Sequence, residues 1–133
     1  MRMGRRLLLL MVLALAACAS TGGIPREPFA DITVPASFIP YSDEWVLIQT
    51  PKTYAAKLVY MTPLPVDSAL SALRQELVRH GWNPREATRF VNPQGFSGVT
   101  LEFVKGTDSC HATVIEGPYA THVDLRVARL IPR

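Results

Sequence analysis

The sequence predicts a single two-layer α+β domain: an antiparallel β-sheet of about five or six strands with one amphipathic helix packed on one face. Three observations predict it. Only Val66 to His80 repeats its apolar residues at helical spacing. The other apolar runs between Trp45 and Leu130 are short and separated by Gly-, Pro-, Asn- and Ser-containing turns. The order is strand, strand, helix, then three or four strands, and one helix covers one face of such a sheet. No repeat or low-complexity tract interrupts it.

In chain order, residues 19 to about 40 contain Gly22, Gly23, Pro25, Pro28, Pro35 and Pro40 with little periodicity. They are expected to form an extended tether. Within them Ile32-Thr33-Val34-Pro35 alternates and is a candidate edge segment. Trp45 to Thr50 is a short strand ended by Pro51, and Pro51-Lys52-Thr53 reads as a hairpin turn. Tyr54 to Met61 is the next strand, with Ala56, Leu58 and Tyr60 on one face and Lys57 on the other. Pro63-Leu64-Pro65 breaks it. The helix then carries Val66, Leu70, Leu73 and Leu77 as its apolar stripe. Asp67 lies in its first turn and Arg79-His80 in its last, as the helix dipole prefers. Gly81 suits the left-handed position that follows a helix, and Trp82 is expected to pack back on Leu77 as a structural cap.

The remainder reads as strands. Arg85 to Val91 is a weaker one, followed by the turn-rich stretch Asn92 to Gly98. Val99 to Lys105 alternates well, Gly106 to Ser109 turns the chain, and Cys110 to Glu116 follows. Gly117 to Ala120 forms the last turn and His122 to Leu130 the last strand. Centring that turn pairs Val114 with Val123, Ala112 with Leu125 and Cys110 with Val127 on one apolar face. His111, Thr113 and Ile115 then oppose Arg126, Asp124 and His122 on the other. A slip of one residue would move every side chain to the wrong face, so this register is well specified. Cys110 is expected to point into the core as an inert, small hydrophobe.

The candidate chemistry is sparse. Cys110-His111 resembles a nucleophile pair only on paper, because adjacent strand residues point to opposite faces. The polar face formed by Glu102, His111, Thr113, His122, Asp124 and Arg126 is the candidate surface for a partner or ligand. Two histidines and Asp124 are a conceivable metal set. However, His111 and His122 are not directly paired, and Arg126 opposite His111 disfavours a cation. No Gly-rich phosphate loop, Cys-x-x-Cys, His-Glu-x-x-His or Gly-x-Ser-x-Gly is present. We therefore expect no catalysis, no metal and no cofactor.

The N-terminus is more explicit. Arg2, Arg5 and Arg6 precede an apolar run from Leu7 to Ala17, and small residues end it before Cys18. That is the layout of a secretory signal peptide. It is too short for a membrane-spanning helix, which needs about 20 apolar residues. Leu15-Ala16-Ala17-Cys18 resembles a bacterial lipobox. The resemblance implies cleavage before Cys18, a diacylglyceryl thioether on its sulfur and stable anchoring by two or more acyl chains. Ala19, where aspartate would signal inner-membrane retention, favours the outer membrane, with the domain facing the periplasm. The expected organisation is a signal peptide over residues 1–17, a lipidated tether over 18–40 and an α+β domain over 41–133.

Processing also changes the electrostatics. The chain has 14 basic and 11 acidic side chains, a net charge of +3. The three excess positives are Arg2, Arg5 and Arg6, so removal of the signal leaves net zero. The basic balance of the whole chain therefore says nothing about nucleic-acid binding, and no nucleic-acid partner is expected. If the Cys18 sulfur carries lipid, Cys110 has no partner for a disulfide.

Residues 33 to 116 also resemble small uncharacterised proteobacterial lipoproteins. The shared order is Val-Pro-x-x-Phe at Val34 to Phe38, Leu-Val-Tyr at Leu58 to Tyr60, and a helix ending in Gly81-Trp82. Leu-x-Phe-x-Lys at Leu101 to Lys105 and a cysteine strand at Cys110 follow. A Phe-Tyr pair in mid-helix is absent here. The resemblance implies the α+β fold and no known activity. The expectation is a membrane-anchored envelope lipoprotein whose domain is a non-catalytic accessory or structural interaction module, docking an envelope protein. The alternative is a periplasmic ligand- or metal-binding sensor using His111, His122 and Asp124.

Overall fold

The computed structural model describes residues 31–41 and 46–131, with side chains for 31–41 and 48–131. The signal segment, Cys18, residues 19–30 and Trp45 lie outside the described residues. Those described form seven strands and one helix: β1 (Ile39–Pro40), β2 (Val46–Gln49), β3 (Thr53–Thr62), α1 (Val66–Arg79), β4 (Asn83–Val91), β5 (Ser97–Lys105), β6 (Asp108–Glu116) and β7 (Thr121–Leu130). All pairings are antiparallel. The order across the sheet is β1-β3-β7-β6-β5-β4, with β2 also on β3.

Three sequence expectations need correction. The sheet has seven strands, not five or six. The outer edge of β3 is filled by two short pieces, because Ile39 and Pro40 pair with Met61 and Tyr60 while Val46 to Gln49 pair with Lys57 to Tyr54. Proline is tolerated at such an edge, where its missing N–H breaks no ladder. Second, the packed region begins before residue 41. Ile32 and Phe38 are buried in the core, and the Phe38 ring lies 6.4 Å from that of Tyr60. The prolines that read as a tether here let a non-repetitive segment run beside the helix. Third, the turn expected over Gly106 to Ser109 shrinks to Gly106-Thr107, with Asp108 opposite Lys105. Gly106 has φ +60, the left-handed conformation that a tight two-residue hairpin with glycine first requires.

The helix sits as its stripe dictates. Leu73 and Leu77 are fully buried, Ala69 joins them, and Val66 and Leu70 pack partly buried at the margin. It returns the chain from the far end of β3 to the start of β4, crossing the β4-β5-β6 side of the sheet. Its C-terminus closes as expected. The Gly81 N–H donates to the Val78 carbonyl at 3.1 Å and the Trp82 N–H to the Leu77 carbonyl at 3.0 Å. Gly81 has φ +89 and Trp82 is buried. These two bonds satisfy carbonyls that a helix end otherwise leaves open. Lys105 Nζ adds a third, to the His80 carbonyl at 2.8 Å, and lies 5.9 Å from the Trp82 ring centroid.

The first segment is fastened at this same end. Arg129 Nη2 donates to both Asp31 oxygens at 2.7 Å, and Arg129 Nε to Asp108 Oδ2 at 2.8 Å. Lys105 Nζ reaches Asp31 Oδ2 at 3.0 Å. Thr33 Oγ1 donates to Glu76 Oε1 of the helix at 3.0 Å. At the opposite end, Thr121 Oγ1 donates to the Leu64 carbonyl at 2.6 Å, and the Leu64 N–H donates to Thr62 Oγ1 at 3.3 Å. These two buried threonines satisfy the backbone where β3 breaks into the helix.

Candidate functional site

Strand parity sorts every side chain of the sheet to one of two faces. The helix-facing side holds Ala56, Leu58, Tyr60, Leu101, Phe103, Cys110, Ala112, Val114, Val123, Leu125 and Val127, all buried. The other side has no helix over it among the described residues. The register of the last hairpin is as expected: Cys110 opposes Val127, Ala112 opposes Leu125 and Val114 opposes Val123. Glu102, His111, Thr113, His122, Asp124 and Arg126 consequently share the open face.

They do not gather at one point. The ladders place them in three rows running across the strands. Lys57, Arg126, His111 and Glu102 form a charged row. Val59, Asp124, Thr113, Thr100 and Thr88 form the next. Ile39, Met61, His122, Ile115 and the Gly98–Phe90 pair form the third. Phe90 lies directly over Gly98, since a Cβ there would come within 2.5 Å of the ring. The Tyr41 ring meets His122 edge-on at 5.7 Å between centroids. Ile39 is 61% exposed and Tyr41 57%.

Asp124 is the most constrained of the six. Lys57 Nζ lies 3.4 Å from Oδ2 and Arg126 Nε 3.6 Å from Oδ1. No hydrogen bond reaches Oδ1, although that atom is buried. The cations of the charged row thus neutralise Asp124 without satisfying it.

This arrangement separates the proposed metal set. His111 opposes Arg126, while His122 lies two rows away opposite Ile115. Among the described residues no three His, Cys, Asp or Glu side chains are placed to hold a metal ion. The Cys110–His111 pair also divides as strand geometry requires. Cys110 is buried and His111 exposed. Burial first, and the Asp31 charge second, push the Cys110 thiol up to about 12. A thiol held that far above neutrality is not a nucleophile. Cys110 is expected to label slowly with a maleimide in the folded domain and rapidly in denaturant. Equal rates in both states would place the thiol outside the core.

A cleft of about 560 Å³ lies at the end of the sheet where the helix begins. Pro63, Pro65, Pro118, Tyr119, Asp67, Arg89 and Glu116 are among its walls. Its charged groups already have partners. Arg89 Nη2 donates to Asp67 Oδ1 at 2.8 Å, and Glu116 Oε1 accepts the Ser97 N–H at 2.9 Å.

The sequence reading missed Lys57, Ile39, Tyr41, Met61 and Phe90 as parts of the face. Lys57 was legible as pointing away from the core, but its place beside Asp124 depends on β3 pairing with β7, some seventy residues away. No local pattern announces that contact. Among the described residues no helix is long and apolar enough to cross a membrane. No family model matches the chain, and no curated protein or solved structure matches it either.

Proposed function

We propose that this chain is a membrane-anchored lipoprotein of the bacterial envelope. Its domain is a non-catalytic interaction module that docks a protein partner through the open sheet face. The sheet face that no helix covers among the described residues, with charged, threonine-rich and apolar rows side by side, is the observation that carries the docking reading. A sheet buries one face on its helix, and the other offers a broad surface of mixed chemistry. Cleft carboxylates with partners and a thiol held protonated support a non-catalytic role.

The anchor rests on Leu15-Ala16-Ala17-Cys18 and on the likeness to proteobacterial lipoproteins. Cys18 would carry the lipid, and Ala19 favours the outer membrane with the domain on the periplasmic side. Asp31, thirteen residues on, is clasped at the end of the domain where the helix ends. Thirteen residues reach at most about 45 Å, which keeps the domain close to its membrane. The cleft and the apolar row lie at the opposite end of the sheet.

Fractionation tests the anchor. Wild-type protein is expected in the outer-membrane pellet, and Cys18→Ala in the soluble periplasmic fraction. A Cys18→Ala variant that stays membrane-bound would sink the lipoprotein reading. In-cell crosslinking tests the docking: Ile115→Asp and Arg126→Glu, both on the open face, are expected to lose the crosslinked partner. Retention of that partner by both variants would place the interaction elsewhere.

A further inference from the structure

We infer that the open face is covered by the same face of a second copy of this chain. The inference rests on the docking reading above and names the partner. It comes from the symmetry of the rows. The face has six columns, in the order β1 or β2, β3, β7, β6, β5, β4, so its midline is the seam between β7 and β6. Consider a two-fold axis lying in the interface along that seam, parallel to the strands. It brings each row onto the same row of the other copy and reverses the column order.

The juxtapositions that result are complementary. Lys57 on β3 meets Glu102 on β5 of the other copy, and symmetry makes that pair twice. Asp124 meets Thr113, a neutral hydroxyl in the same row. Met61 meets the Phe90 ring that covers Gly98, and His122 meets Ile115 in the apolar row. Charge balance agrees: the β3-β7 half carries Lys57, Arg126 and Asp124, a net of +1, and the β6-β5 half carries Glu102, a net of −1. The Arg85–Glu86 bulge beside it adds one charge of each sign.

The size also fits. Five strands of nine or ten residues, about 4.8 Å apart and with the short β1 and β2 on the outer edge, span roughly 700 Å². A standard stable interface buries about 800 Å² per partner. Two sheets packed this way are a β-sandwich with layers about 10 Å apart.

The test is sedimentation equilibrium on the lipidated full chain in detergent, with Lys57→Glu, Glu102→Lys and the double swap. The wild type is expected to dimerise. Each single variant, which places like charges together twice, is expected to weaken dimerisation at least tenfold, and the double swap to return it to within about threefold of wild type. Within one copy Lys57 and Glu102 are three strand spacings apart, about 14 Å, beyond the screening length at physiological salt. Rescue by the swap therefore reports a contact between copies. Both residues are exposed, and thermal melts of the variants check that they fold. A wild type that is monomeric in this measurement, or a double swap no better than the singles, overturns the inference. The crosslinking result decides the docking reading separately: a monomer that still loses a different envelope protein through Ile115→Asp refutes self-association alone.

Discussion

Replacing Phe103 with alanine is expected to destabilise the domain by about 3–5 kcal/mol. Phe103 is fully buried on the helix-facing side of β5, between Pro84 and Cys110 in the ladder. Truncation removes the transfer free energy of the ring and leaves a cavity that the neighbouring strands cannot close, because both are fixed by their own hydrogen bonds. Domains of this size hold about 5–15 kcal/mol in total. The melting temperature should fall by roughly 10–25 °C at the usual conversion for such sizes. Leu130→Ala is the control. Leu130 is 53% exposed, so its truncation should change stability by about 0.5 kcal/mol or less. Thermal unfolding followed by circular dichroism measures both. Equal melts for the two variants would mean that Phe103 does not occupy the core.

The second large effect is expected at Arg129. Its guanidinium joins Asp31 on the first segment to Asp108 at the start of β6. Arg129→Met keeps most of the aliphatic stem and removes the charge. Asp31 is left with Lys105, and Asp108 loses a donor at 2.8 Å. Breaking a fully buried pair costs about 3–5 kcal/mol. Here the side chains retain 18–24% of their exposure, so solvent screening reduces the loss to about 1–3 kcal/mol. The loss should be local as well as global. Hydrogen exchange over residues 31–38 is expected to accelerate more than over β6 and β7, since Asp31 is the clasp of that segment. Uniform acceleration would deny the clasp.

The same network predicts an acid limb. Burial pushes the Asp31 carboxyl up, but the hydrogen bonds and charges of Arg129 and Lys105 outweigh it and hold the pKa below the ordinary carboxylate value. A folded pKa below the unfolded one stabilises the fold fully above the unfolded value, about 3.9. That stability is lost as pH falls through the folded value. Asp31→Asn is therefore expected to flatten the dependence of melting temperature on pH below about 4. It should not alter the slope between pH 5 and 7. An unchanged acid limb would remove Asp31 as a contributor.

Legibility followed the range of each interaction. The register of β6 with β7 was readable because a four-residue turn and an alternating pattern fix a hairpin locally. The end of the helix was readable because Gly81 and Trp82 lie within five residues of the carbonyls they satisfy. The first segment was not. Ile32 to Pro35 alternates only briefly and Phe38 has no period, and their burial depends on Tyr60 and the helix, which are remote in sequence. Two threonines tell the same story. Thr62 and Thr121 lie just outside the strands the sequence predicts, yet both satisfy the Leu64 backbone, Thr121 from 57 positions away.

By itself the sequence determined the α+β class, the single helix and its cap, the inward direction of Cys110 and the polar parity of His111, Thr113, His122, Asp124 and Arg126. Parity and capping depend on neighbours a few residues apart, so the chain writes them directly. Only the tertiary structure decided that β3 joins β7, that Asp31 is clasped by Arg129, and that the open face is ruled into rows. Each row takes single residues from as many as six strands. Their alignment depends on loop lengths and on burial of the opposite face, which no local pattern records.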